Sequence, residues 1–142
     1  MKAFIVSGAL AALMLSGVHC VSAEEAGKVT VTPVISARTT ASGQPIALPK
    51  QNPEVQVSVF EIPVGAVLPV HMHPFHRYAY VLAGKLRVSD RDNVKTFDYV
   101  AGDFLIEMVD TWHYGTNIWT EPVHLLVIDQ VEAGAQNTIL PK

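Results

Sequence analysis

A chain of 142 residues with 10 basic and 13 acidic side chains, and no basic cluster, does not suit nucleic acid as a partner. Its length suits one compact domain. Its only cysteine is Cys20, so a disulfide framework is excluded.

The amino terminus reads as an address. Lys2 is followed by an apolar or small run from Ala3 to Val18, and Val21-Ser22-Ala23 supplies the small residues that a signal peptidase reads. We expect a secretory signal over residues 1–23, cleavage before Glu24, and a secreted or periplasmic protein. The apolar run is too short for a comfortable membrane span, so no stable membrane association is expected after cleavage. Cys20 raises the alternative of lipid attachment, but His19 stands where a small residue should precede a lipidated cysteine. Cleavage removes Lys2 and Cys20 and leaves 119 residues with no thiolate ligand.

The remaining chain reads as nearly all strand. Lys28–Ala37, rich in Val, Thr and Ile, predicts a first strand. Thr39–Pro53 has no clear period and predicts a loop or edge segment. Val55, Val57 and Val59 then alternate with Gln56, Ser58 and Phe60, the period-two signal. Further strands are predicted over about Ala66–His73, Arg77–Leu82, Lys85–Ser89, Lys95–Val100, Phe104–Met108, His113–Trp119 and Val123–Val131. Turn residues mark most of the breaks, as at Gly65, Gly84, Asp90-Arg-Asp-Asn93, Gly102-Asp103 and Glu121-Pro122. Short strands at this spacing predict an all-β sandwich or small barrel.

The chemistry concentrates in two stretches. On a strand, residues two apart face the same way, so His71 and His73 project together and one ion can take both. Alone, such a pair can equally face solvent. Here Val70 and Met72 are apolar neighbours, Pro69 and Pro74 bracket the pair, and His113 recurs later. Imidazole is the commonest ligand for first-row divalent metals.

At these residues the chain resembles the cupin family. Gly65, then His71-x-His73, then Gly84 is similar to the first cupin motif, and Gly102, His113 and Asn117 are similar to the second. The 17-residue spacer between Gly84 and Gly102 is short, as is usual for the family. The likeness covers about residues 55–131, between an extension over 24–54 and a tail over 132–142. It implies a single jelly-roll barrel and one divalent transition metal held by His71, His73 and His113. Mn, Fe, Zn, Ni and Cu all suit such ligands. It also implies a homodimer. If Arg77, Ala79 and Val81 face the barrel, Tyr78, Tyr80 and Leu82 leave an apolar outer stripe for the Lys28–Ala37 strand or a second subunit to cover.

The departure from the pattern is equally informative. The family usually places a metal-binding glutamate seven residues before the closing glycine of the first motif, and here that position is Arg77, which stays cationic. Two residues could supply the missing ligand. His76 is adjacent, but alternation points it away from the barrel. Glu107 lies on the neighbouring strand of the family's barrel, where it could reach the metal, pair with Arg77, or face solvent. A buried Arg77 needs an anion, and Glu107 or a substrate carboxylate is expected to meet it.

Three functions fit these residues. The first is an enzyme in which the metal acts on a small carbonyl- or carboxylate-bearing molecule, Arg77 holds a carboxylate, and Glu107 or His76 moves protons. The second is a module that binds a small ligand without turnover. The third is a purely structural metal. Asn117 is expected to bond backbone groups in a turn, and His124 to be a satisfied polar residue on a late strand. Trp112, Trp119, Phe75, Tyr78 and Tyr80 are expected in the core, rim or subunit contact.

Overall fold

Period-two alternation decides which side chains meet inside this molecule. The computed structural model describes residues 27–92 and 94–142, so the expected signal peptide and Cys20 lie outside the described residues. The chain divides into two units. In Met1–Val31, only 27–31 are described, exposed and outside any strand; Thr32–Lys142 carries every described strand.

Seven strands follow in order: β1 (Pro53–Ile62), β2 (Arg77–Ala83), β3 (Lys85–Asp90), β4 (Thr96–Val100), β5 (Phe104–Ile106), β6 (His113–Asn117) and β7 (Val123–Glu132). They form a four-stranded sheet, β1-β7-β2-β5, and a three-stranded sheet, β4-β3-β6. Every strand pairing is antiparallel. No helix occurs among the described residues. This is the all-β jelly roll that the resemblance implied.

The two inner faces make the core. Ala79 and Val81 of β2, Val123, Leu125 and Val127 of β7, Leu86 and Val88 of β3, and Leu105 of β5 cluster with Ile62 and Met108. Each fully buried Val or Leu side chain contributes roughly 1.5–3 kcal/mol relative to exposure. The turn glycines place these strands. Gly84, at φ +89, joins β2 to β3, and a Cβ there would lie 2.8 Å from Val123 Cγ2. Gly102, at φ +96, makes the reversal between β4 and β5.

Two expectations fail here. Lys28–Ala37 forms no strand, and its residues are exposed. Its β-branched composition fits a pleated surface but does not create one, and Pro33 has no N–H to give to a ladder. Ala66–His73 is also not a continuous strand. It makes isolated bridges instead: Val67 with Thr116, His71 with His113, Met72 with Ile139 and His73 with Val109. Pro69 cannot donate, so the ladder is interrupted, and successive residues after it change partner. That change of partner sets up the site.

Candidate metal centre

Backbone pairing brings the two motifs together. The His71 and His113 main chains exchange both hydrogen bonds, at 2.8 and 2.9 Å. The His73 carbonyl accepts from the Asp110 N–H at 2.9 Å. Glu107 follows β5 and donates its N–H to the Arg77 carbonyl at 2.9 Å, so it sits beside the position from which the family glutamate is missing. Leu105 of β5 is in the core, and Glu107, two residues on, points the same way.

The result is a cluster of four ligand atoms, one each from His71, His73, Glu107 and His113, all within 4.8 Å of one another. Glu107 Oε2 lies 3.1 Å from His73 Nε2 and 2.9 Å from His113 Nε2. Neighbouring ligands at right angles on one ion, with bonds of about 2.1 Å, lie about 3.0 Å apart. The histidines are buried, and the Glu107 side chain is 11% exposed, so it does not face solvent.

The outer ring nitrogens fix the tautomers. His71 Nδ1 bonds to the Pro69 carbonyl at 2.7 Å, and His113 Nδ1 to the Thr111 carbonyl at 2.7 Å. His73 Nδ1 bonds to the Asn137 carbonyl. A carbonyl oxygen only accepts, so each Nδ1 carries the hydrogen, and each ring, when neutral, presents a lone pair at Nε2. Three such lone pairs and a carboxylate oxygen converge. They repel unless a cation lies among them, which must be a proton or a metal ion.

The titration of these groups carries the same imprint. Burial lowers the His71 pKa to about 4 against its bond to Pro69, and His73 and His113 add to the depression. That ring is therefore neutral at neutral pH. Burial pushes Glu107 up, but hydrogen bonds and charge from His113 and His73 outweigh it and hold the carboxyl well below its usual range. Burial also pulls His113 down, and the bond to Glu107 and its charge reverse that and raise it. Burial first, then Glu107 and Asp103, push the Tyr99 phenol up to about 12.

Arg77 meets a different partner from either one expected. Its Nε donates to Asp129 Oδ1 at 2.8 Å and its Nη2 to Asp129 Oδ2 at 2.7 Å. Nη2 also reaches Thr138 Oγ1 at 3.2 Å, and the guanidinium lies 5.6 Å from the centre of the Phe60 ring. The cause is register: β7 sets Asp129 directly opposite Arg77, and both side chains are buried. Neither Glu107 nor a substrate carboxylate is therefore needed to balance the charge. The sequence held a signal for this partner, since Asp129 continues the apolar face of Val123, Leu125 and Val127 and breaks it with a charge.

The other singled-out polar residues stand apart from the four donors. His76 is buried, and its Nε2 accepts the Ala47 N–H at 2.8 Å. Asn117 Nδ2 donates to the carbonyls of Ile62, Pro63 and Glu121, and its Oδ1 accepts from the Trp119 N–H. His124 sits half-buried on β7. Besides Asp129, the sequence reading missed Gln44, whose amide bonds both the N–H and the carbonyl of Val109, and Asn137. Both lie in irregular segments, where no period marks a residue for attention.

A jelly roll whose two motif regions converge on such a donor set defines a class of protein. The cupin domain family matches residues 58–129, and the chain belongs to that family. No curated protein matches it. Among solved structures it is similar to a Bacillus halodurans protein at 21% identity and TM-score 0.51, covering 61% of this chain and 69% of that one. It is similar to Bacillus subtilis oxalate decarboxylase at 27% identity and TM-score 0.53, covering 61% of this chain and 23% of that one. The Lactobacillus farciminis oxalate decarboxylase formate complex is similar at 24% identity and TM-score 0.51, covering 63% and 27%. The chain thus spans about a quarter of the length of these decarboxylases.

If the four donors need a cation, a divalent metal should stabilise the fold. At one hundred times its Kd, the metal should add about 2.7 kcal/mol, a rise of several degrees in Tm. Thermal unfolding with and without added Mn, Fe, Zn, Ni or Cu, and after chelation, measures this. The Glu107→Ala variant should lose most of the rise. No shift with any of these metals would contradict the site.

Proposed function

We propose that this protein is a mononuclear metalloprotein that binds one divalent metal through His71, His73, His113 and Glu107 and captures a small carboxylate there. The observation that carries this reading is the tautomer set: every Nδ1 is tied to a backbone carbonyl, leaving every Nε2 lone pair for the centre. The donors suit Mn, Fe, Zn, Ni and Cu. Mn(II) is the first to try, because Bacillus subtilis oxalate decarboxylase, 28% identical over 61% of this chain, has Mn(II) centres.

When bound, such a metal supplies Lewis-acid polarisation of a ligand oxygen. The chain supplies the rest. Three neutral imidazoles and the Glu107 carboxylate leave a divalent ion with a single net positive charge, which a monocarboxylate balances. A reading as a binder without turnover has one observation in its favour: Arg77 is already engaged by Asp129 and so is not a free cation for substrate.

Purified protein should hold about one metal per chain, and His73→Ala should lose most of it. Oxalate or formate added to the Mn(II) form should change its electron paramagnetic resonance spectrum. Conversion of oxalate to formate and carbon dioxide would make the protein an enzyme, and binding alone would make it a module. No spectral change with either acid would overturn the carboxylate reading.

The same proposal includes a homodimer. On the outer face of the larger sheet, Val57, Ile128 and Tyr78 align in one row and Val59, Leu126 and Tyr80 in the next. Val55, Val57 and Val59 are 61%, 59% and 66% exposed, which favours a covering second copy. Light scattering should give a dimer, and Val57→Glu with Val59→Glu a monomer. A monomeric parent at micromolar concentration would contradict it. Finally, we propose export with cleavage after Ala23. Mass spectrometry of the processed chain should then start at Glu24, and an intact Met1 would contradict that.

A further inference from the structure

The buried pair at Arg77 does more than neutralise itself. Asp129 Oδ1 accepts from Arg77 Nε at 2.8 Å and also from Asn137 Nδ2 at 2.6 Å. Asn137 Oδ1 accepts the Phe75 N–H at 2.9 Å. The Asn137 side chain is thus pinned at both ends, and its main-chain carbonyl is the group that accepts His73 Nδ1–H. Thr138, next in the chain, takes the remaining bond from Arg77 Nη2. The segment is docked a third time where Met72 and Ile139 exchange backbone bonds at 3.0 Å. His73, Arg77, Asp129 and Asn137 are all buried, although a surface pocket opens beside Arg77, Asp129 and Asn137, so water has little access to the bonds among them.

These contacts form one connected path from Arg77 through Asp129 and Asn137 to a ring in the donor cluster. The path has a chemical direction. Arg77 can only donate, so it fixes a carboxylate. That carboxylate can only accept, so it orients the Asn137 amide with its nitrogen toward Asp129 and its oxygen toward Phe75. With the amide oriented, the carbonyl of the same residue stands where His73 Nδ1–H must find it. His73 is then held as the tautomer whose Nε2 carries a lone pair.

We propose that Arg77, Asp129 and Asn137 are positioning residues that lock the His73 imidazole as a metal ligand. Arg77 has thereby exchanged roles with Glu107: the glutamate coordinates from across the ladder, and the arginine braces His73 from behind. This rests on the metal reading above, and it assigns a metal-directed role to residues that touch no metal. The bracing differs from that of the other two histidines. His71 and His113 each bond a carbonyl two residues earlier in their own segment, whereas the carbonyl for His73 comes from 64 residues away. Only the His73 ring therefore depends on a tertiary contact for its tautomer.

The test compares the parent with Asn137→Ala and with the double variant Arg77→Met, Asp129→Leu. The double variant replaces the ion pair by apolar side chains, so the fold is kept while the brace is removed. Circular dichroism confirms folding. Mn(II) and Co(II) affinities come from competition with a chelator. Both variants leave the Asn137 carbonyl in place but free it to move, and should bind about tenfold more weakly, the lower end of the effect of losing an outer partner of a ligating histidine. The Co(II) visible spectrum should shift with them. In the metal-free parent, nitrogen-15 spectra should show a slowly exchanging His73 Nδ1–H, which both variants lose.

The outcomes separate the two readings. If the parent takes up no metal, the metal reading fails, and the Nδ1–H signal still decides whether Asn137 holds His73. If the parent binds metal and the folded variants match it in affinity and cobalt spectrum, the positioning role is overturned. Persistence of the protected Nδ1–H in Asn137→Ala overturns it as well.

Discussion

Three imidazole lone pairs and a carboxylate aimed at one buried point are the constraint on which the rest of this structure depends. Each group is an acceptor once its outer nitrogen has been used, and acceptors repel without a cation between them. Burial makes the repulsion worse, because water cannot relieve it. The barrel walls hold the arrangement together. Ala79, Leu105 and Met108 pack in the core beside Arg77 and Glu107, and the reciprocal backbone bonds of His71 and His113 fix those two rings. Such a concentration of acceptors could hold a metal ion.

The place of Arg77 follows from the same geometry. An arginine stands where the resemblance to the first cupin motif led us to expect a ligating carboxylate. The ladder resolves the difficulty twice. On one side, the residue after β5 pairs beside Arg77 and turns its carboxylate inward as Glu107. On the other, β7 delivers Asp129 to the guanidinium in a two-pronged contact. One cation and two carboxylates thus occupy neighbouring positions of one sheet without mutual interference, each held by its own strand register. The arginine then serves the histidine side of the cluster through Asn137.

Much of this was legible in the sequence, and the reasons are local. The strands announce themselves through alternation, as in Val55-x-Val57-x-Val59, and the turns through Gly84 and Gly102, which occupy positive φ. The histidines are legible because a two-residue offset on an extended chain forces a shared face. The position of Glu107 beside Arg77 could be anticipated from the family's strand order. What the sequence hid is what depends on register between distant strands. Arg77 and Asp129 are 52 positions apart, and only the β2–β7 pairing makes them neighbours. Asn137 lies in a segment with no period at all. Lys28–Ala37 misled in the opposite way, since β-branched residues mark a strand only where a ladder exists to receive them.

The central claim is that one metal ion sits among His71, His73, His113 and Glu107. The most direct measurement is anomalous X-ray scattering from a crystal of the metal-loaded protein, recorded on either side of the absorption edge of the metal. The account predicts one anomalous peak per chain, about 2.1 Å from the Nε2 atoms of the three histidines and from a Glu107 carboxylate oxygen. A peak bound elsewhere, or a fully loaded crystal with Glu107 turned away from the ion, would contradict it.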